Sequence, residues 1–130
     1  MKKVNFIAEL CQNHLGKTKN VESMLAQCAL HGATTVKLQY IYAKNLSFRP
    51  RFENGIFIKN KKYSIKRPYI DEYKRLKKLD LPEKNFEKFV KLCEKHSVTR
   101  MVTCFAREHV KKIYNHGFKH VKVASYDCSS

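Results

Sequence analysis

Polar side chains with useful chemistry stand at the ends of four apolar stretches of this sequence. They are Glu9 in the first, Lys37 and Gln39 in the second, Thr103 in the third, and Lys122, Ser125 and Asp127 in or just after the fourth. Lysines bind carboxylates or phosphates, hydroxyls donate to phosphate oxygens, and carboxylates accept from sugar hydroxyls or move a proton. If the four stretches are parallel strands, their carboxyl ends form one rim, where α/β folds bind ligands. The pattern therefore predicts a site for an anionic or sugar-like ligand.

The second stretch, residues 34–39, gives this signal most clearly. Val36 and Leu38 point to one side of a strand, while Lys37 and Gln39 point to the other. Parallel strands covered on both faces are normally continuous apolar runs, and departures from a local rule tend to fall at functional sites. An edge strand with one solvated face explains this stretch equally well when it is taken alone.

Each of the other residues also has an ordinary structural explanation. Lys37 or Lys122 could be solvated, Ser125 could cap a turn, and Glu9 could pair with a neighbouring lysine. The coincidence of polar chemistry at the ends of four predicted strands favours a site.

Length and composition restrict the class of protein. The chain has 130 residues, of which 43% are hydrophobic, which predicts one compact domain and excludes wholesale disorder. The formal net charge is +16, from 27 Lys+Arg against 11 Asp+Glu. Such an excess is compatible with nucleic acid, an anionic membrane surface or a phosphorylated substrate. Most of the lysines fall in helix-like segments, where a solvated face is the ordinary explanation.

The cysteines and the N-terminus predict a cytoplasmic protein. The number of cysteines, five, is odd and no Cys-x-x-Cys occurs, which argues against a disulfide framework or a structural zinc site. The first apolar run is interrupted by Glu9, so it is not a signal peptide. No run approaches the roughly 20 apolar residues of a membrane span.

Hydrophobic periodicity predicts alternating strands and helices, typical of a parallel α/β sheet. The predicted strands are 4–9, 34–39, 100–104 and 120–124, four in all. The predicted helices are one capped by Thr18 or Asn20 and stopped by Gly32, then 69–79, about 82–96, and about 106–116.

Residues 41–67 do not follow this alternation. Turn-like pairs and bases are interspersed there with aromatic residues, and 52–58 reads as a small hairpin around Asn54-Gly55. A loop of this length in a compact domain is usually functional or disordered. Interleaved bases and aromatics also suit single-stranded nucleic acid, which we consider the weaker explanation.

Five segments, in order and across essentially the whole chain, resemble motifs of the N-acetylneuraminate (sialic acid) synthase family. They are Ile7-Ala8-Glu9 with Asn13-His14-Leu15-Gly16, Val36-Lys37-Leu38-Gln39, Leu81-Pro82-Glu83, Val102-Thr103-Cys104-Phe105, and Val121-Lys122-Val123-Ala124-Ser125. The chain departs from the family pattern at four positions, with Asp127 for Glu, Tyr126 for Gly, Cys104 for Pro and Tyr40 for Thr. These departures indicate a divergent sugar substrate or a decayed site.

The resemblance implies a (β/α)8 TIM-barrel fold, present here as about four N-terminal βα units. Residues 1–130 would be the N-terminal part of the synthase domain, without the C-terminal half-barrel and the antifreeze-like domain. The full-length family is expected to form homodimers.

The resemblance also implies a reaction, the condensation of phosphoenolpyruvate with an N-acetylmannosamine-like aldose to give a sialic acid-type product and phosphate. Lys37, Thr103, Lys122 and Ser125 would then hold phosphoenolpyruvate, Gln39 and Asp127 would face the sugar, and Glu9 would be catalytic, near the reacting centre. A divalent metal, Mn²⁺ or Mg²⁺, would polarise the aldehyde, with ligands that lie outside this chain.

Two alternatives to an active synthase are open at this point. The chain could be a truncated, non-catalytic remnant of the same fold, or a small basic α/β module that binds nucleic acid. Binding to nucleic acid that falls steeply with salt would favour the module.

Overall fold

The computed structural model describes residues 4–125, and within that range it leaves out the side chains of residues 62–64. Its strands are β1 (Ile7–Cys11), β2 (Thr35–Tyr40), β3 (Ile56–Ile58), β4 (Lys61–Ser64), β5 (Thr99–Cys104) and β6 (His120–Val123). Its helices are α1 (Thr18–Leu30), α2 (Pro50–Glu53), α3 (Tyr69–Lys77), α4 (Glu83–Lys95) and α5 (Val110–Asn115). Short 3-10 turns occur at Ala43–Asn45 and Arg107–His109.

Four of the strands form one parallel sheet in the order β1-β2-β5-β6. Helix α1 lies in the crossover from β1 to β2, and α5 lies in the crossover from β5 to β6. The crossover from β2 to β5 is much longer and contains α2, the β3–β4 pair, α3 and α4. The predicted α/β class and the four predicted sheet strands are confirmed, with bounds that differ by at most three residues.

The prediction for residues 41–67 was partly wrong. A hairpin is present, but β3 and β4 pair around Lys59-Asn60 rather than around Asn54-Gly55. Lys59 and Asn60 both have positive φ, the left-handed backbone that tight hairpin turns require. Pro50 begins the short helix α2, so Phe52 is helical and Asn54 follows the helix end. The described residues therefore contain six strands, not four.

The edge-strand interpretation of residues 34–39 is also wrong. Strand β2 lies between β1 and β5 and pairs with both. Lys37 lies in the middle of this strand and is only 9% exposed. A lysine at such a position needs a partner or a ligand, because an isolated buried charge is costly.

The hydrophobic core lies between one face of the sheet and the helices α1 and α4. Val36, Leu38 and Val102 on the strands are fully buried there. Helix α4 contributes Phe86 and Phe89, which are both buried. Val90, the next residue, is only partly covered.

The outer strands of the sheet carry apolar side chains that stay accessible. Ile7 on β1 is 47% exposed, and Val121 and Val123 on β6 are 48% and 56% exposed.

Cys11, Cys28, Cys93 and Cys104 are free thiols. Between residues 4 and 125, no helix is both long enough and apolar enough to cross a lipid bilayer.

Candidate functional site

The register of the sheet brings five of the predicted site residues to one face. Gln39 of β2 pairs with Thr103 of β5, which in turn pairs with Lys122 of β6. Glu9 of β1 pairs with Lys37 of β2, two residues before Gln39. Because paired residues on adjacent strands share a face, all five project on the side opposite the core. We call this surface the polar face.

An ion pair joins the first two of these residues. The Nζ of Lys37 contacts Oε2 of Glu9, and the two side chains are 11% and 31% exposed. The backbone N–H of Cys11 donates to Oε1 of Glu9 over 3.0 Å. The pair explains why a central strand tolerates a lysine, and it is the pairing considered above as the structural explanation for Glu9. It also fixes a cation in the middle of the polar face.

A β-bulge follows Glu9 and shapes the rim of the sheet. The register between β1 and β2 shifts between Glu9 and Cys11, and Cys11 has a positive φ of 50°. Bulges are common at the rims of barrels and next to active sites, where they redirect a side chain. Here the bulge lets the Cys11 N–H turn back to the Glu9 carboxylate.

The other predicted residues differ in their surroundings. Thr103 is 3% exposed, and Gln39 is half-buried. Lys122 is exposed, and its Nζ donates to the carbonyl of Val123 over 3.3 Å. Ser125 is exposed as well, and Asp127 lies outside the described residues. The polar face therefore has a buried centre around Lys37 and Thr103, and an open margin on β6.

Two of the departures from the family pattern point away from the polar face. Tyr40 packs edge-on against Phe86, with ring centroids 4.2 Å apart, and its OH donates to Oε2 of Glu83 over 2.9 Å. Burial raises the pKa of Tyr40 far above its ordinary value, so the phenol is protonated. Cys104, paired with Tyr40, packs against the same core. Neither substitution crowds the predicted site.

A cavity of about 390 Å³ adjoins the polar face at Gln39. Its walls come from the ends of β2 and β5, the loop after β1, and the segment from the first 3-10 turn to α3. It is lined by Gln12, Gln39, Ile41, Asn45, Leu46, Ser47, Arg49, Phe52, Glu53, Arg67, Tyr69, Glu72, Arg75, Leu76 and Phe105. Because it contains three arginines, we call it the arginine cavity.

Sequence reasoning missed most of this cavity, because its residues come from a segment without clear periodicity. The spacing of Glu72 and Arg75, three residues apart on a predicted helix, was the available signal. Arg75 donates to Glu72 from Nε over 3.0 Å and from Nη2 over 2.6 Å. These bonds, helped by the charge of Arg67, hold the pKa of Glu72 below its ordinary value.

The loop after β1 is fixed by a buried histidine. His14 is 1% exposed, and its Nδ1 accepts from the Gly16 N–H over 3.0 Å. Burial lowers the pKa of His14, so the imidazole is neutral at pH 7. Asn20, expected as a possible helix cap, instead donates from Nδ2 to the His14 carbonyl over 3.0 Å. Helix α1 begins at Thr18 without a side-chain cap.

The Gly16→Ala variant is expected to be less stable than Gly32→Ala. Both glycines have positive φ, so both variants lose about 1–2 kcal/mol to the left-handed backbone. A Cβ at Gly16 would also lie 3.1 Å from the backbone oxygens of Lys78 and Asp80, whereas nothing lies within 4 Å at Gly32. Urea unfolding of both variants measures the difference, and equal midpoints would contradict the close packing of this loop.

The described residues do not fit a metal ion. No group of three or more His, Cys, Asp or Glu side chains comes together anywhere between residues 4 and 125 in a way that could hold one. The chemistry of this part of the chain is therefore derived from its cations, hydroxyls, amides and the Glu9 carboxylate.

Comparison with known proteins relates the chain to one family and to several solved structures. The model of the NeuB family matches residues 24–130. No curated protein matches the chain. Among solved structures, the sialic acid synthetase of Leptospira borgpetersenii superposes with a TM-score of 0.74 at 20% identity, covering 97% of this chain and 38% of that one.

Two further structures are similar. A spore coat polysaccharide biosynthesis protein of Bacillus subtilis gives a TM-score of 0.63 at 21% identity, over 95% of this chain and 30% of that one. A putative spore coat polysaccharide biosynthesis protein of Chromobacterium violaceum gives 0.65 at 21% identity, over 95% and 34%. These likenesses show a shared fold of the TIM-barrel type. The chain spans 38% of the length of the Leptospira protein, 30% of the Bacillus protein and 34% of the Chromobacterium protein.

Proposed function

We propose, from the premise that this chain belongs to the NeuB family, that its polar face is the phosphoenolpyruvate side of a sialic acid-type synthase site. The observation that carries the proposal is the register that sets Lys37, Gln39, Thr103 and Lys122 on one face of three neighbouring strands. Residues 1–130 would accordingly form the N-terminal part of a synthase barrel.

Phosphoenolpyruvate carries a carboxylate and a phosphate, and the polar face offers matching groups. Lys37 supplies a compact positive charge that Glu9 already holds in place. The buried Thr103 hydroxyl, on the neighbouring strand of the same face, would donate to an anionic oxygen. Lys122 and Ser125 lie at the accessible margin, where they can reach a phosphate that extends towards solvent.

The proposed reaction forms one carbon–carbon bond and one carbon–oxygen bond from water, and it breaks the carbon–oxygen bond to phosphate. The alkene carbon of phosphoenolpyruvate attacks the aldehyde carbon of an open-chain N-acetylated aldose, and the aldehyde oxygen takes up a proton. Water adds to the resulting oxocarbenium carbon and loses a proton, and phosphate then leaves by cleavage of its bond to that carbon. The lysines of the polar face stabilise the negative charge on the departing phosphate.

Glu9 is proposed to transfer a proton or to contact the sugar. Its carboxylate lies against Lys37, the cation proposed to touch phosphoenolpyruvate. Gln39 lies at the junction of the polar face and the arginine cavity, where its amide can orient the sugar. A divalent metal would polarise the aldehyde in a synthase of this type, but the described residues do not form its site.

The Thr103→Val variant tests the proposal by calorimetric titration with phosphoenolpyruvate. Loss of a hydrogen bond to an anionic oxygen is expected to weaken binding about tenfold. Thr99→Val is the matched control, because Thr99 lies on the same strand and face, four residues away and at the opposite end. Equal affinities in the two variants would contradict the site. Phosphate release that depends on N-acetylmannosamine would distinguish a catalytic chain from a non-catalytic remnant.

A further inference from the structure

We propose that residues 54–66, which contain the β3–β4 hairpin, form a docking surface for an anionic lipid bilayer. We call these residues the hairpin segment. Its lysines would contact the lipid headgroups, and its exposed apolar side chains would enter the interface. The inference goes beyond the proposed function and does not depend on it, because no described residue of this segment lies on the polar face or lines the arginine cavity.

The hairpin segment stands apart from the main sheet. β3 and β4 form a two-stranded sheet of their own and pack chiefly on each other. The base of the segment is closed by the N–H of Arg67, which donates to the carbonyl of Phe52 over 2.7 Å. A two-stranded hairpin is at best marginally stable alone in water. A partner surface that covers the segment would therefore stabilise it.

The apolar side chains of the hairpin segment are exposed to solvent. They are Ile56, Phe57, Ile58 and Ile65. Because successive residues of a strand point to opposite faces, Phe57 and Ile58 lie on different faces of the hairpin. A flat protein surface would cover one face and leave the other in water, whereas the boundary layer of a bilayer can surround both. Contiguous exposed apolar residues of this kind mark protein or membrane interaction sites.

The charge of the segment is complementary to an anionic surface. Residues 54–70 contain no acidic residue, and the carboxylates nearest in sequence, Glu53 and Asp71, flank them. The basic residues of the hairpin segment are Lys59, Lys61, Lys62 and Lys66. Lys59 lies in the turn and Lys61 beside it, and both are exposed. Anionic lipids attract such clusters of lysines electrostatically.

Nucleic acid fits the hairpin segment less well than lipid does. Single-stranded nucleic acid binds by stacking its bases on aromatic rings. The segment carries more isoleucines than aromatic residues, namely Ile56, Ile58 and Ile65 against Phe57 and Tyr63. Isoleucine offers a base no aromatic face, but its side chain is stabilised when it leaves water for the acyl-chain boundary of a bilayer. The composition therefore favours a lipid surface.

Binding to vesicles measures the contribution of the lysines. At low salt, the chain is expected to cosediment with vesicles of phosphatidylcholine and phosphatidylglycerol mixed in equal parts, and not with vesicles of phosphatidylcholine alone. The double variant Lys59→Gln, Lys61→Gln is expected to bind the mixed vesicles about twentyfold more weakly, because each lysine near an anionic bilayer contributes about fivefold in affinity. The double variant Lys91→Gln, Lys95→Gln is the matched control. It loses the same charge at exposed positions of α4 and should bind nearly as tightly as the parent chain.

The Phe57→Trp variant reports whether the apolar side chains enter the bilayer. The sequence contains no tryptophan, so this variant carries a single reporter. Its fluorescence emission is expected to shift to shorter wavelength when the mixed vesicles are added, because the indole ring leaves water for the interface. Tyr114→Trp is the matched control, since Tyr114 is an exposed aromatic residue of α5 outside the hairpin segment. Its emission should stay where it is.

Several outcomes would overturn the inference. Absence of binding to the mixed vesicles, or equal affinity for both kinds of vesicle, would exclude an anionic lipid partner. Equal weakening in the α4 control would show that the vesicles respond only to the net charge of the protein. An unshifted emission of vesicle-bound Phe57→Trp would exclude insertion. If the hairpin double variant weakens binding of a single-stranded oligonucleotide but not of the vesicles, the segment contacts nucleic acid instead.

Discussion

The Lys37→Ala variant is expected to bind phosphoenolpyruvate about tenfold to hundredfold more weakly than the parent chain. The side chain of Lys37 is 11% exposed and is held by Glu9, so its position is set before a ligand arrives. A hydrogen bond to a charged group contributes roughly 1.5–3 kcal/mol, which corresponds to this range of affinity. Removing the lysine also leaves the Glu9 carboxylate without its cation, which repels an incoming anion. Calorimetric titration measures the effect.

Lys88→Ala is the matched control for this variant. Lys88 also pairs with a glutamate, Glu22, over 3.1 Å, but both side chains lie on the accessible surface of the helices. Exposed ion pairs contribute little to stability, and Lys88 is remote from the polar face. Its loss should leave phosphoenolpyruvate affinity unchanged. Equal weakening in both variants would mean that the ligand responds only to the net charge of the protein.

The Phe86→Ala variant is expected to lose about 3–5 kcal/mol of its free energy of unfolding. Phe86 is 1% exposed and stacks on Phe118, with ring centroids 5.5 Å apart. It also meets Tyr40 at 4.2 Å, so it joins α4 to the sheet. Deleting the ring leaves a cavity between these elements that the packed core fills only partly. Domains are stable by about 5–15 kcal/mol, so the loss is a large fraction of the total.

Phe57→Ala is the matched control, because it makes the same substitution at an exposed position. Phe57 lies on the β3–β4 hairpin and is 62% exposed, so the same substitution there removes little buried area. Thermal and urea unfolding of the two variants should differ strongly. A Phe86→Ala chain that unfolds at the same urea concentration as Phe57→Ala would contradict the assignment of the core.

The parallel sheet could be predicted from the sequence because its strands and helices follow simple periodicities. Alternation around Lys37 and Gln39 predicted which side chains share a face, and the register confirmed it. Local pattern could not distinguish a central strand from an edge strand, since that depends on which strands pair with β2. The position of Lys37 between two strands and its pairing with Glu9 are properties of the assembled sheet.

The arginine cavity could not be predicted from local sequence patterns, because its lining residues come from segments that are far apart in the sequence. Its walls combine a loop after β1, the ends of β2 and β5, and a long crossover. Asn54-Gly55 is a strong hairpin signal in isolation, but Pro50 began a helix that ran through Phe52. The turn therefore formed at Lys59-Asn60 instead. Competition between neighbouring local signals is decided by packing, which the sequence pattern does not display.

Nuclear magnetic resonance can show directly whether phosphoenolpyruvate binds on the polar face. The amide signals of ¹⁵N-labelled protein would be followed during titration with the ligand. Saturable shifts are expected at Lys37, Gln39, Thr103 and Lys122, on one face of three neighbouring strands. The amides of the α4 lysines are expected not to move; these are Lys84, Lys88, Lys91 and Lys95. Shifts confined to α4 and other surface lysines, with none on the polar face, would contradict the proposed site.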